Sequence, residues 1–206
     1  MLERVRKYAI VVALLIAGCR HPASVAPSNQ TPVILISVDT LRSDHLPAYG
    51  YRAVQTPHID RFRADSILFD HAYSHVPLTL PSHATMLTGR LPADTGIRDN
   101  LGFQLSGNVI TLASLLKRNG YETGAAVSAF VLHSETGISR GFDFYDDNVD
   151  IDLHSMSRSQ RDGAETIRRA ENWIKPRAAK PFFFFLHLYE PHMPYEPPPP
   201  FPQTYD

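Results

Sequence analysis

Three short stretches of this sequence carry groups whose chemistry could be joined. The first ends in Asp39, just past the apolar run Val33-Ile34-Leu35-Ile36-Ser37-Val38. The second is Thr79-Leu80-Pro81-Ser82-His83-Ala84-Thr85-Met86-Leu87-Thr88-Gly89-Arg90, with a hydroxyl at its head and an imidazole one helical turn later. The third is Tyr189-Glu190-Pro191-His192-Met193-Pro194-Tyr195. A carboxylate can hold a divalent cation, and the cation can lower the pKa of a coordinated hydroxyl until its oxygen attacks. Imidazoles facing the same edge steady ester oxygens or protonate a leaving group. Asp39 is therefore a candidate metal ligand, Thr79 a candidate nucleophile that also touches the metal, and His83 and His192 candidate catalytic imidazoles.

The surrounding pattern would bring these groups to one edge. Val33 to Val38 is apolar without alternation, which predicts a strand covered on both faces in a parallel sheet. Asp39 then sits at the carboxyl end of that strand, where open α/β sheets bind their ligands; capping the next turn is its plainer role. Pro81 suits the first turn of a helix, and Ala84, Met86 and Leu87 can bury its body. That places Thr79 at a helix N-terminus, where N–H groups and the dipole favour an anion or alkoxide, though Thr is equally at home there as an N-cap.

The rest of the chain reads as strands alternating with helices, hence α/β. A helix is expected from Pro57 to about Ala64, and a strand or extended chain over Ile67–Tyr73. Thr111 should cap a helix with Leu112, Leu115 and Leu116 on one face and Gly120 beyond its end. A strand follows from Glu122 to Phe130, then an aromatic turn or short strand at Gly141–Tyr145. From about Ser159 to Lys175 an amphipathic helix should turn Ala164, Ile167, Ala170 and Ile174 inward, with Pro176 ending it. Pro181 to Leu188, including four consecutive phenylalanines, is a second buried strand, and Pro197 to Pro200 a rigid loop. His21, His58, His71, His75, His133 and His154 lack a paired ligand at metal-like spacing and read as structural. Asp143, Asp146, Asp147, Asp150 and Asp152 read as a solvated acidic loop, because the EF-hand order is missing.

The 206 residues, 43% hydrophobic and 20% charged, are enough for one folded domain. A net charge of −1 gives no general pull towards nucleic acid, so any handling of anions must be local. Arg4, Arg6 and Lys7 precede a short apolar run from Tyr8 to Ile16, and Ile16-Ala17-Gly18-Cys19 closes it. The run is too short to span a bilayer, which takes ~20 residues, and reads as a signal peptide. Its end resembles the bacterial lipobox. That resemblance implies cleavage before Cys19, lipid on its thiol, and anchoring at the periplasmic side of the cell envelope. The outer membrane is one destination, since Arg20 is not the aspartate of inner-membrane retention. Residues 1–19 are thus the lipoprotein signal, 20–31 a small, polar, Pro-bearing tether, and 32–206 the domain. Cys19 is the chain's one cysteine, so no disulfide is expected within it.

From Val33 on, the segments resemble the sulfatase family of the alkaline phosphatase superfamily. Val33 to His45 is similar to the family's opening strand and first metal-ligand loop. Thr79 to Arg90 is similar to its nucleophile motif, Cys/Ser-x-Pro-Ser-Arg followed by Leu-Thr-Gly-Arg. Gly96-Ile97-Arg98-Asp99-Asn100 and Pro181 to Tyr195 are similar to the segment downstream and to the strand with its Pro-His-x-Pro turn. The resemblance implies a three-layer α/β sandwich with a mostly parallel sheet, incomplete in this chain. It implies a metal-dependent hydrolase of sulfuric or phosphoric esters, with calcium or magnesium suiting the oxygen ligands and zinc or manganese as the alternatives. Asp39 would hold the metal, Thr79 would stand at the nucleophile, His83 would replace the motif arginine, and Asn100 and His192 would face the ester oxygens. Arg90 would support the loop through a salt bridge.

Three departures bear on the chemistry. Threonine cannot become the formylglycine of sulfatases, so Thr79 would attack directly, as in superfamily phosphodiesterases. Thr40 stands where many members carry a second aspartate. The Gly-Lys-Trp-His segment expected at Val127-Ser128-Ala129-Phe130 has no lysine. The family's second metal segment lies downstream of the Pro-His-x-Pro turn. Two expectations follow: the N-terminal part of an esterase acting on small-molecule or glycan esters, or a non-catalytic surface lipoprotein that binds glycans or anions.

Overall fold

The computed structural model describes residues 31–151, 159–197, 199 and 201. The segment expected to be a signal peptide, Cys19 and all but the last residue of the expected tether lie outside them, as do His21, Asp152 and His154. In chain order the main elements are β1 (Val33–Val38), α1 (Pro57–Ala64), α2 (Thr79–Thr88), α3 (Pro92–Thr95), α4 (Leu112–Arg118), β2 (Glu122–Val127), β3 (Phe144–Asp146), α5 (Gly163–Ile174) and β4 (Phe182–Leu188). Four strands lie in the order β1-β4-β2-β3, and every pairing is parallel. Among the described residues no helix is long and apolar enough to cross a membrane.

β4 is central, and its pleat divides the core in two. Phe183 and Phe185 face a cluster with Leu80, Ala84 and Leu87 of α2 and Ala113 of α4. Phe182, Phe184 and Leu186 face Ala170 and Trp173 of α5. Helices on both sides of a parallel sheet give the three-layer α/β sandwich. Gly124 lets α5 approach: a Cβ there would lie 2.7 Å from the Trp173 ring.

Several expectations are corrected by this packing. β1 is not covered on both faces: Leu35 packs on the core, but Ile34 and Ile36 are 48% and 58% exposed. Residues 67–73 form no strand but an irregular, largely exposed segment. The strand at Glu122 stops at Val127, and the chain turns through short 3₁₀ segments at Phe130–Leu132 and Ser134–Thr136. α5 begins at Gly163, four residues later than expected, with Asp162 as its cap. Its buried stripe is Gly163, Thr166, Ala170 and Trp173, while Ile167 and Ala164 face outward, because the large indole takes the inward position. Thr111 caps α4 by accepting from Ser114 N–H, as its position predicts. Leu115 is nonetheless exposed, and Met86 of α2 is exposed rather than buried.

The acidic loop is more structural than its composition suggests. Asp146 is buried and pairs with both Arg161 and Arg169. Asp143 bonds Lys117 and Thr123, and Asp147 accepts from Ser134 N–H.

Candidate active site

Parallel strands bring their carboxyl ends to one edge, and the three chemistry-bearing stretches meet there. The backbone N–H of Asp39 donates to Leu188 O across β1 and β4 at 2.9 Å. Thr79 heads α2 as its first residue, with Leu78 in the cap position. Thr79 is therefore not the N-cap; its Oγ1–H donates to Asp39 Oδ2 at 3.0 Å. The capping oxygen comes from Asn100, whose Oδ1 accepts from Leu80 N–H at 2.8 Å. Pro81 lacks an N–H and Asn100 takes that of Leu80, so the helix N-terminus offers an anion fewer donors than an ordinary first turn.

These groups line a cavity of about 1100 Å³ that also takes in Ser37, Ser82, His83, His192 and Tyr195. Its one arginine, Arg42, is forked onto Asp44 at 2.9 and 2.6 Å, in the open. His192 packs tilted against Tyr189 with ring centroids 4.3 Å apart, and its Nδ1 donates to Met193 O at 2.6 Å. A carbonyl can only accept, so that nitrogen carries a proton and Nε2 remains for the cavity. Arg90 lies exposed, and no ion pair of its side chain occurs among the described residues.

His83 occupies a different place from an imidazole poised over substrate. It is 5% exposed. Its Nδ1 donates to Thr79 O at 2.7 Å and its Nε2 meets Ser37 Oγ at 2.8 Å. Burial, with His187 beside it, pushes its pKa down to about 4, so the ring is neutral at pH 7. With the proton on Nδ1, Nε2 accepts from the Ser37 hydroxyl. His83 thus ties β1 to the first turn of α2 and positions Thr79.

Asp39 is held ionised. Burial raises its pKa, but the contacts with His187 and with the Thr79 hydroxyl outweigh it and leave the carboxyl below its usual range. Burial, with the Asp39 charge nearby, pushes the Tyr189 phenol up to about 12. Thr40, next to Asp39, has φ +55, a left-handed conformation that costs a β-branched residue strain. The residue that sequence reasoning passed over is His187. It is the penultimate residue of β4, one pleat from Phe185 and in register with Ser37. A polar residue at the carboxyl end of an otherwise apolar strand was the available signal.

Oxygen donors suit a hard divalent cation, and Asp39 and Thr79 supply two of the about six or more that calcium or magnesium takes. Among the described residues no group of three His, Cys, Asp or Glu side chains could hold a metal. The pair fits as part of such a site.

The family model for sulfatases matches residues 31–206. The chain belongs to the sulfatase family. An N-acetylglucosamine-6-O-sulfatase of Bacteroides thetaiotaomicron is 28% identical over 201 residues, 92% of this chain and 35% of that protein. The steryl-sulfatase of Rattus norvegicus is 36% identical over 124 residues, 55% of this chain and 22% of that protein. This sulfatase-family chain therefore spans about a third or less of the length of these relatives. Among solved structures, one in complex with its substrate D-glucosamine-2-N,6-O-disulfate superposes with a TM-score of 0.69 at 23% identity, covering 82% of this chain and 36% of that one. The phosphonate monoester hydrolase of Agrobacterium radiobacter does so with 0.68 at 20% identity, covering 84% and 43%. Both show the alkaline-phosphatase-like fold.

Proposed function

We propose that the protein hydrolyses sulfuric or phosphoric esters with Thr79 as its nucleophile. The observation that carries this reading is the Thr79 hydroxyl at the head of a helix, bonded to an ionised Asp39 in an open cavity. Asp39 and Thr79 would hold a divalent cation, which supplies positive charge and lowers the pKa of the hydroxyl. Asp39 Oδ2 is the acceptor already in place for the Thr79 proton. Attack by Oγ1 on sulfur or phosphorus forms a threonine ester as the alcohol departs with a proton. The Asn100 amide N–H groups stand at the cavity wall for the substrate oxygens, and His192, as an imidazolium with a proton on each nitrogen, would give its Nε2 proton to the departing alcohol; water then opens the ester.

The glucosamine-sulfate relative and the glucosamine-disulfate complex make a sulfated amino sugar the first substrate to try. The lipobox-like segment ending at Cys19 supports lipid anchoring in a bacterial envelope. The test is full-length protein on paired aryl sulfate and phosphodiester panels, with and without chelator. Turnover should require the metal and vanish in Thr79→Ala; equal turnover in that variant overturns the assignment.

A further inference from the structure

The His187 ring is wholly buried, and neither of its nitrogens makes a hydrogen bond among the described residues. An imidazole sealed in this way is costly unless it serves a neighbour. Its ring packs edge-on against His83 at 4.9 Å, and Nε2 lies 3.5 Å from Asp39 Oδ2. That separation is just longer than a closed hydrogen bond. Oδ2 is also the oxygen that accepts from Thr79 Oγ1–H. Both contacts of the carboxylate therefore converge on one of its two oxygens.

The neighbours decide where the ring proton sits. With the proton on Nδ1, the Nε2 lone pair would face the carboxylate oxygen and a buried N–H would have no acceptor. With the proton on Nε2, the N–H has Oδ2 as an acceptor 3.5 Å from its nitrogen and only an unpaired acceptor remains at Nδ1, which is the cheaper orphan. Parallel pairing fixes this placement, because Ser37 and His187 are register partners and Asp39 follows Ser37 by one pleat. We propose that His187 is the positioning residue of Asp39: its Nε2–H holds Oδ2 beside the Thr79 hydroxyl and leaves Oδ1 for the cation. The last clause rests on the cation site proposed above; the hold on Oδ2 does not.

Two measurements on full-length protein separate these parts. The first is the ¹⁵N spectrum of histidine-labelled, metal-free protein, which needs no change at His187. Nε2 should be protonated, with its signal shifted in Asp39→Asn. A proton on Nδ1, a spectrum indifferent to Asp39→Asn, or loss of the Nε2 proton when calcium is added overturns it. The second is calorimetric titration with calcium and with magnesium alone. His187→Leu removes the donor and should weaken binding about tenfold or more, and His187→Gln, which keeps an N–H, should restore most of it. Equal affinity of His187→Leu and parent overturns the proposal. If the parent binds neither ion, the cation site fails, and the ¹⁵N signature alone decides whether His187 holds Asp39.

Discussion

The neutrality of His83 makes a quantitative claim about acid stability. The ring is free to protonate near pH 6.5 in the unfolded chain but only near pH 4 in the fold. Between those values the unfolded state binds more protons, so stability falls as pH falls, by about 1.4 kcal/mol per pH unit. This contribution is intact above pH 6.5, and its loss is complete, at about 3 kcal/mol, by pH 4. His83→Gln removes the titration while keeping a side chain that can bond Ser37 or the Thr79 carbonyl. At pH 7.5 the variant should be less stable by about 1–3 kcal/mol, for imperfectly replaced hydrogen bonds. As pH falls the parent loses stability through His83 and the variant does not, so the two curves should meet between about pH 6 for the smallest gap and about pH 4 for the largest. Asp39 behaves oppositely in position: its lowered pKa costs stability only as pH falls through and below the ordinary carboxylate range, and largely cancels between the two proteins. Urea unfolding at several pH values gives the curves. A stability gap that stays constant from pH 7.5 to 4.5, or an NMR titration of His83 near 6.5, would refute the reasoning.

Three other changes probe the frame around the site. Arg161→Met leaves Asp146 buried with Arg169 as its remaining partner, and should cost about 3 kcal/mol in chemical unfolding. Gly124→Ala drives a methyl into Trp173 and Phe184, and should cost about 1–3 kcal/mol with a shift in tryptophan emission. Asn100→Ala leaves the Leu80 N–H without its acceptor; a loss of about 1 kcal/mol is expected, with turnover falling further because Thr79 heads the same turn.

Much of the frame was legible because it depends on local patterns. The apolar runs at Val33 and Phe182, the Thr111 cap and the placement of Asp39 past a strand follow from composition and turn chemistry. The Thr79 and Asp39 juxtaposition was accessible through the parallel order of those strands. What sequence could not supply were choices made by side-chain volume and by distant partners. Trp173 rotates α5 so that Thr166 turns inward in place of Ile167. Asn100, twenty residues away, caps α2 and frees Thr79 from that task. Ser37 engages the His83 Nε2 and ties the ring into a clamp at the cavity wall, a role that depends on which face of β1 lies beneath α2. His187 was hidden inside a run that reads as core.

The central claim is that the Thr79 oxygen forms the bond to the substrate's sulfur or phosphorus. Full-length protein mixed with an aryl sulfate or phosphodiester, quenched in acid and digested, should yield a peptide carrying a sulfo or phospho ester on Thr79, seen by mass spectrometry. An active enzyme whose adduct maps to another residue, or whose Thr79→Ala variant forms the same adduct, would contradict it.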